Sequence, residues 1–142
     1  MQIAALAHDI ERGIYTDKDK IIKEKFDDYD KRKREHSRRS AKIICDLLRK
    51  HRFNKDFIKK VEYLVLLYEF GGDEEVDVLR DADSISFFED NLEYYFDTHG
   101  GKTAGLKIEF MYNRMSKKAK DIVEKFKYEN KELNSIFHNI VS

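Results

Sequence analysis

The sequence predicts an all-α fold, a helical bundle that forms a single domain over residues 1–142. The length of 142 residues fits one domain of ordinary size. The chain contains no proline, the residue that interrupts the interior of helices. Apolar residues recur at a spacing of three or four, and no segment alternates strictly between apolar and polar residues as a half-buried strand does. We therefore expect at least five helices and no sheet.

Five apolar stripes with helical spacing follow one another along the chain. The first stripe is expected to end near Gly13, a residue type that often follows a helix. The pairs Gly71-Gly72 and Gly100-Gly101 are the strongest breaks and are expected to end the third and fourth helices. The stripes are Ile3, Leu6, Ala7, Ile10 and Ile14; Ser37, Ala41, Ile44, Cys45 and Leu48; Phe57, Val61, Leu64, Val65 and Tyr68; Val78, Ala82, Ile85, Leu92 and Phe96; and Ile108, Met111, Met115, Ala119, Ile122 and Phe126.

Two further segments have weaker patterns. The stretch 15–30 is charged and irregular, and we expect at most a short helix near residues 21–26. Residues 130–142 either dock as a short helix or fray. The helical pattern of the first stripe begins at Met1, and no capping residue precedes it. We therefore expect an upstream segment or another element to cover that helix end.

The composition excludes several classes of protein. Lys and Arg total 28 and Asp and Glu total 28, so the net charge is +0. Proteins dedicated to nucleic acids or membrane surfaces depend on excess positive charge. One cysteine cannot form a disulfide framework within the chain and suits a reducing compartment. With no long apolar run and no basic, apolar leader, the sequence predicts a soluble cytoplasmic protein.

A histidine and an aspartate are adjacent on the first predicted helix, at His8-Asp9. Imidazole and carboxylate together suit divalent ions such as Zn, Mn, Fe, Ni and, less readily, Mg. Taken alone, such a pair is more often an ordinary surface pair. Its context is the acidic motif Asp81-Ala82-Asp83, where Asp83 lies beside the fourth apolar stripe. The two acids, with Phe87-Phe88 close by in the sequence, suggest a site at the rim of the core.

The motifs also resemble a known superfamily. Residues 5–12 read Ala-Leu-Ala-His-Asp-Ile-Glu-Arg, and they are followed by His36-Ser37 at a helix start and by Asp81-Ala82-Asp83-Ser84. In order and spacing these motifs resemble the HD-domain metal-dependent phosphohydrolases, over nearly the whole chain. The closest resemblance is to a branch with the motifs Glu-x-Gly-Gly and Asp-Ala-Asp-Ser-x-Ser-Phe-Phe, here residues 69–72 and 81–88.

This resemblance implies a set of roles. His8, Asp9 and Asp83 would bind one divalent metal ion, which could be Mn, Ni, Fe, Zn or Mg. His36 would face a second metal or the substrate phosphate, so Asp9 and His36 are the expected catalytic residues. The sequence departs from the family pattern in two places. The family's first histidine ligand has no counterpart before His8, and Tyr68 stands where a further histidine is often found.

A basic run surrounds His36 at residues 31–39. Such a run is as often a solvated helix start as a functional feature. Arg34 and Arg38 lie four residues apart, flank His36 and share a helix face, and guanidinium groups bind phosphate through paired N–H groups. These two arginines are the expected substrate-binding residues. Arg114, on the fifth predicted helix, either reaches the site or forms a surface salt bridge.

Two functional hypotheses follow. The first is a metal-dependent phosphohydrolase that acts on a small phosphorylated metabolite or nucleotide, with neither nucleic acid nor membrane as partner. The second is a catalytically incompetent HD-fold domain that serves as a binding or assembly module. A homodimer through the aromatic helices is compatible with both.

Overall fold

The computed structural model describes residues 1–14 and 29–142, and in these ranges the chain is α-helical without a β-strand. The predicted all-α fold is confirmed, whereas the short helix predicted near residues 21–26 lies outside the described residues. Two compact units divide the chain, Met1–Leu79 and Arg80–Ser142. None of the helices in the described ranges is long and apolar enough to cross a membrane. In chain order they are α1 (Gln2–Ala7), α2 (Ile10–Ile14), α3 (Tyr29–Lys50), α4 (Lys55–Leu67), α5 (Glu74–Ser86), a π-helical turn (Phe87–Asn91), α6 (Leu92–Asn113), α7 (Lys117–Val123) and α8 (Lys131–Val141).

The first predicted helix is interrupted at His8-Asp9, which form the turn between α1 and α2. The prediction that this pair lies within one continuous helix is therefore wrong. The second of the two helices, α2, ends at Ile14, one residue after Gly13. The His8 ring donates from Nδ1 to the carbonyl oxygen of Ala5 at 2.6 Å. In a continuous helix that oxygen would accept from the amide of Asp9. The side chain of His8 thus competes with the next backbone hydrogen bond and helps to end α1.

The first unit is built on the pairing of α3 with α4, against which α1 and α2 pack. The stripe predicted for α3 is buried at every position, and that for α4 is buried except at Phe57, which is partly buried. Asn54 caps α4 by accepting the amide N–H of Phe57 at 2.8 Å. Gly71 and Gly72 then adopt φ angles of 74° and 153°, which let the chain turn toward α5. The predicted break between the third and fourth helices is confirmed.

The second unit pairs α6 with α8. Gly100 interrupts α6 with a φ angle of 77°, and the predicted break at the second glycine pair is therefore present as a kink. A side chain at Gly101 would place its Cβ 2.9 Å from Cδ1 of Ile136, so glycine permits the close approach of α8. The C-terminal segment docks as a helix rather than fraying, because Asn130 caps it and one face is buried. That face consists of Leu133, Phe137 and Val141.

Two of the predicted stripes are partly wrong. In α5, Val78 and Ala82 are exposed, whereas Val76 and Leu79 are buried. The fifth predicted helix is divided at Ser116, whose side chain caps α7 by accepting the amide N–H of Ala119 at 3.3 Å. After this break the predicted Ala119 is buried, but the next buried residue is Val123, while the predicted Ile122 is exposed. In both cases the chain changes register where the stripe was assumed to continue.

Candidate functional site

The His8-Asp9 turn brings a nitrogen and an oxygen donor together in the first unit. Nε2 of His8 lies 3.9 Å from Oδ2 of Asp9. Because a carbonyl oxygen only accepts hydrogen bonds, Nδ1 of His8 carries the proton that it donates to Ala5. The Asp9 side chain is 37% exposed, so a molecule from solvent can reach this carboxylate.

His36 joins this turn from α3 and connects two carboxylates. Its Nε2 donates to Oδ1 of Asp9 at 2.9 Å, and its Nδ1 donates to Oε2 of Glu11 at 2.6 Å. His36 and Glu11 are both buried. The structure thus brings together three of the residues that the sequence predicted, namely His8, Asp9 and His36.

The electrostatics of the cluster favour the ionised form of Asp9. Burial raises the pKa of this carboxyl, because a charged group loses hydration. The hydrogen bond from His36 and the positive charges of Arg12, His8 and His36 act in the opposite direction and prevail. The net result is a pKa for Asp9 below its ordinary value of 3.8. At neutral pH the turn therefore presents a carboxylate.

Tyr68, which stands where the resemblance places a histidine, packs beside His8. The two rings meet edge to face, with centroids 4.7 Å apart. The Tyr68 hydroxyl donates to Oε1 of Glu69 at 3.0 Å, and the same oxygen accepts from Nζ of Lys33. The segment that follows α4 therefore connects the basic part of α3 to the ring of His8.

The two predicted substrate-binding arginines differ in their surroundings. The guanidinium of Arg34 lies 4.5 Å from the centroid of the Phe70 ring, a distance typical of a cation–π contact. Arg38 pairs with Glu35 at 2.7 Å, and its side chain is 65% exposed. The arginines that contact the cluster are others. Arg39 donates from Nε to Glu11 at 2.8 Å, and Arg12 donates to Oδ2 of Asp9 at 3.1 Å.

Asp83 belongs to the second unit, where it forms an ion pair. Arg114 donates to Oδ2 of Asp83 at 2.5 Å and from Nε to the hydroxyl oxygen of Ser84 at 2.9 Å. The side chain of Arg114 is largely buried and that of Asp83 is 25% exposed, so this is a partly buried pair and not the surface salt bridge that was one of the two expectations for Arg114. The neighbouring acid Asp81 accepts the amide N–H of Ser116 at 2.8 Å, at the start of α7. Both acids thus have structural partners within their own unit.

The donors of His8 and Asp9 fit two ligands of one divalent ion. Two donors on a tetrahedral ion lie roughly 3.4 Å apart when the bonds are about 2.1 Å long, so the two atoms of this turn, 3.9 Å apart, would approach by about 0.5 Å on binding an ion. A hydrogen bond from the other ring nitrogen to a carbonyl is the usual way in which a metal-binding histidine is oriented. In the described part of the chain, however, no three His, Cys, Asp or Glu side chains form a group that could hold a metal ion.

The sequence reasoning missed Glu11 and the two arginines that bind the cluster. A signal was available for Glu11, which follows Ala4 and Ala7 at helical spacing and continues their buried face. A carboxylate on an apolar face needs a buried partner, and the basic run around His36 contains several candidates.

The chain matches the family model described as Domain of unknown function (DUF4202) over residues 1–136. It therefore belongs to this family. Comparisons with curated proteins and with solved structures give no match. The functional assignment consequently depends on the chemistry of the residues of this chain.

Proposed function

We propose that this member of the DUF4202 family is a divalent-metal-dependent phosphohydrolase that acts on a small phosphorylated metabolite or nucleotide. The observation that carries the proposal is the 3.9 Å separation between Nε2 of His8 and Oδ2 of Asp9. The resemblance to HD-domain phosphohydrolases supports the same reading.

When bound, such an ion lowers the pKa of water and polarises a phosphoryl oxygen. The chain's own residues supply the rest of the chemistry. His36 holds Oδ1 of Asp9, which leaves Oδ2 on the side of His8. The exposed Arg12 is bound to that same Oδ2 and can place its remaining N–H groups against an incoming phosphate. The sequence proposes Arg34 and Arg38 as further residues that bind the substrate phosphate, and their present contacts are with Phe70 and Glu35.

The proposal is tested first by metal binding. The purified chain is dialysed against Mn²⁺, and retained metal is measured by elemental analysis for wild type and for Asp9→Asn. The matched control is Asp46→Asn, because Asp46 is an exposed aspartate that pairs with Arg49 on α3. We expect wild type and the control to retain Mn²⁺ and the Asp9 variant to lose it. Equal retention by all three proteins, or none by any, would contradict the proposal.

Activity is tested with the same three proteins. A panel of nucleotides and sugar phosphates is incubated with each protein in the presence of Mn²⁺, and released phosphate is measured. We expect Asp9→Asn to lower the rate by more than about 100-fold, since removal of a metal ligand exceeds the effect of the groups around it. Hydrolysis that survives unchanged in Asp9→Asn would assign the activity to another site.

A second candidate function has its own supporting observation. Asp83, the third ligand that the resemblance implies, is held by Arg114, and the described residues provide no three-ligand group. A domain that keeps the fold without catalysis would act as a binding or assembly module, with a second copy of the chain as one partner. Bound metal without hydrolysis of any substrate in the panel would favour this candidate.

We also propose that the protein works in the cytoplasm. Its one cysteine, Cys45, is a buried free thiol on the apolar face of α3. Burial raises the pKa of this thiol, which keeps it protonated and unreactive. A core thiol without a disulfide suits a reducing compartment.

A further inference from the structure

We infer that Glu11 is a positioning residue, which orients His36 and through it the carboxylate of Asp9. The inference rests on the proposed function of the His8-Asp9 turn. It assigns a role to a buried acid in α2 that neither the resemblance nor the sequence pattern identified.

Glu11 is held at three points. Its side chain is only 2% exposed, and Oε2 accepts from Nδ1 of His36 at 2.6 Å. The other carboxylate oxygen accepts from Nε of Arg39 at 2.8 Å. The backbone N–H of Glu11 donates to the hydroxyl oxygen of Ser40 at 3.4 Å. A carboxylate with both oxygens bound and almost no exposure has one orientation, which it imposes on its partners.

The hydrogen bonds form a single chain from Arg39 through Glu11 and His36 to Asp9. Since Nδ1 of His36 is fixed by Glu11, the ring plane is fixed, and Nε2 is directed at Oδ1 of Asp9. The remaining oxygen, Oδ2, therefore has a defined direction before any ligand arrives. Oriented hydrogen-bond partners of this kind control how well a site binds its ligand.

The competing explanation is that Glu11 only fastens α2 to α3. The two roles can be distinguished by what happens to the His36 ring when Glu11 or Arg39 is replaced. A fastening role depends on the ion pair with Arg39, whereas positioning depends on the hydrogen bond to Nδ1. Glu11→Met fills the space of the side chain and removes the strong acceptor. Arg39→Gln is the matched variant, because it removes the ion pair and leaves Glu11 to hold His36.

The test is nuclear magnetic resonance of the isotope-labelled full chain, observing the ring N–H groups of His36 in wild type and both variants. We expect two slowly exchanging ring signals in wild type and in Arg39→Gln. In Glu11→Met we expect loss of the Nδ1–H signal, and at least about 10-fold faster exchange of the Nε2–H that faces Asp9. Unchanged signals in Glu11→Met, or no protected ring signal in wild type, would overturn the inference.

Should Glu11→Met fail to fold, Glu11→Gln decides the question. An amide oxygen still accepts from Nδ1, but less strongly than a carboxylate, so we expect the Nδ1–H signal to shift from its wild-type position. An unshifted signal would show that Glu11 does not hold the ring.

A second readout connects the inference to the ligand. We expect Glu11→Met to weaken Mn²⁺ binding by about 10–100-fold and Arg39→Gln to weaken it far less. Wild-type affinity in Glu11→Met would overturn the inference. If wild type itself binds no Mn²⁺, the proposed function fails, and the ring signals of His36 still decide the role of Glu11.

Discussion

The rings of His8 and Tyr68 meet edge to face, with their centroids 4.7 Å apart and their planes at 68°. The tyrosine stands at the position where the HD-domain phosphohydrolases that the sequence resembles often have a further histidine. In this structure it packs against His8 and donates its hydroxyl hydrogen to Glu69. The contact gives Tyr68 a role in fixing His8, and that role depends on the ring rather than on the hydroxyl.

Tyr68→Phe should therefore lower stability slightly and leave metal binding unchanged. The substitution keeps the ring against His8 and removes one buried hydrogen bond, while Glu69 keeps its pair with Lys33. We expect a loss of about 1 kcal/mol in the free energy of unfolding, measured with urea. Tyr94→Phe, at an exposed tyrosine, is the control and should change nothing. A loss of Mn²⁺ binding in Tyr68→Phe would show that the hydroxyl serves the site.

Arg114→Met should destabilise the second unit by about 2 kcal/mol, because it leaves the partly buried Asp83 without its guanidinium partner. The measurement is denaturant unfolding. The control is Arg49→Met, which breaks an exposed pair and should change stability by less than about 1 kcal/mol. Adding Asp83→Asn to Arg114→Met should recover part of the loss, since the unpaired charge is then gone. A double variant as unstable as the sum of the singles would contradict a direct interaction.

Acid should remove a stabilising contribution of Asp9. Its pKa in the folded chain lies below the ordinary value of 3.8, so the folded state favours the carboxylate more than the unfolded state does. The contribution is complete above the unfolded pKa and is lost as the pH falls through the folded pKa. We expect the stability difference between wild type and Asp9→Asn to stay constant above about pH 5 and to shrink as the pH falls from about 5 toward about 2, measured by urea unfolding. A difference that is constant over this range would contradict the assignment.

Alkali should destabilise the second unit through Tyr112. Burial, followed by the hydrogen bond to Glu124, raises the pKa of Tyr112 to about 12 from an ordinary value of 10.0. The unfolded chain therefore releases this proton first, and the stabilisation that is present below about pH 10 is lost as the pH rises toward about 12. Over this pH range, the free energy of unfolding should change less with pH in Tyr112→Phe than in wild type. Identical pH dependence in the two proteins would refute the prediction.

Most of the helices were predictable because one face of each is apolar, as in α3 and α4. The stripe predicted for α5 is wrong at Val78 and Ala82 for a physical reason. Counting back from Leu92 at normal helical spacing leads to Ala82 and Val78, which are exposed. Val76 and Leu79 pack in the core of the first unit, whereas Phe88 and Leu92 pack in the core of the second, so one continuous stripe does not describe this segment. No local signal in the sequence marks the change from one core to the other.

The candidate site was predictable where motif order identified its members, and the hydrogen bond between Asp9 and His36 is the clearest example. The choice of Arg38 shows the limit. Arg34 and Arg38 share a face with each other, but each is two residues from His36, and residues two apart do not face each other on a helix. Arg39, three residues from His36, lies on the inner face and binds Glu11. Which cation points inward depends on helix packing, which the basic run by itself does not specify.

The kink at Gly100 makes α6 two mechanical segments rather than one rod. A φ angle of 77° removes the continuous ladder of hydrogen bonds at that point, so a twist or tilt of residues 92–99 is not passed rigidly to residues 101–113. Each segment has an inner end from which it can fray. The amide hydrogens just after the kink should exchange with solvent sooner than those in the middle of either segment, as they do at the start of a separate helix.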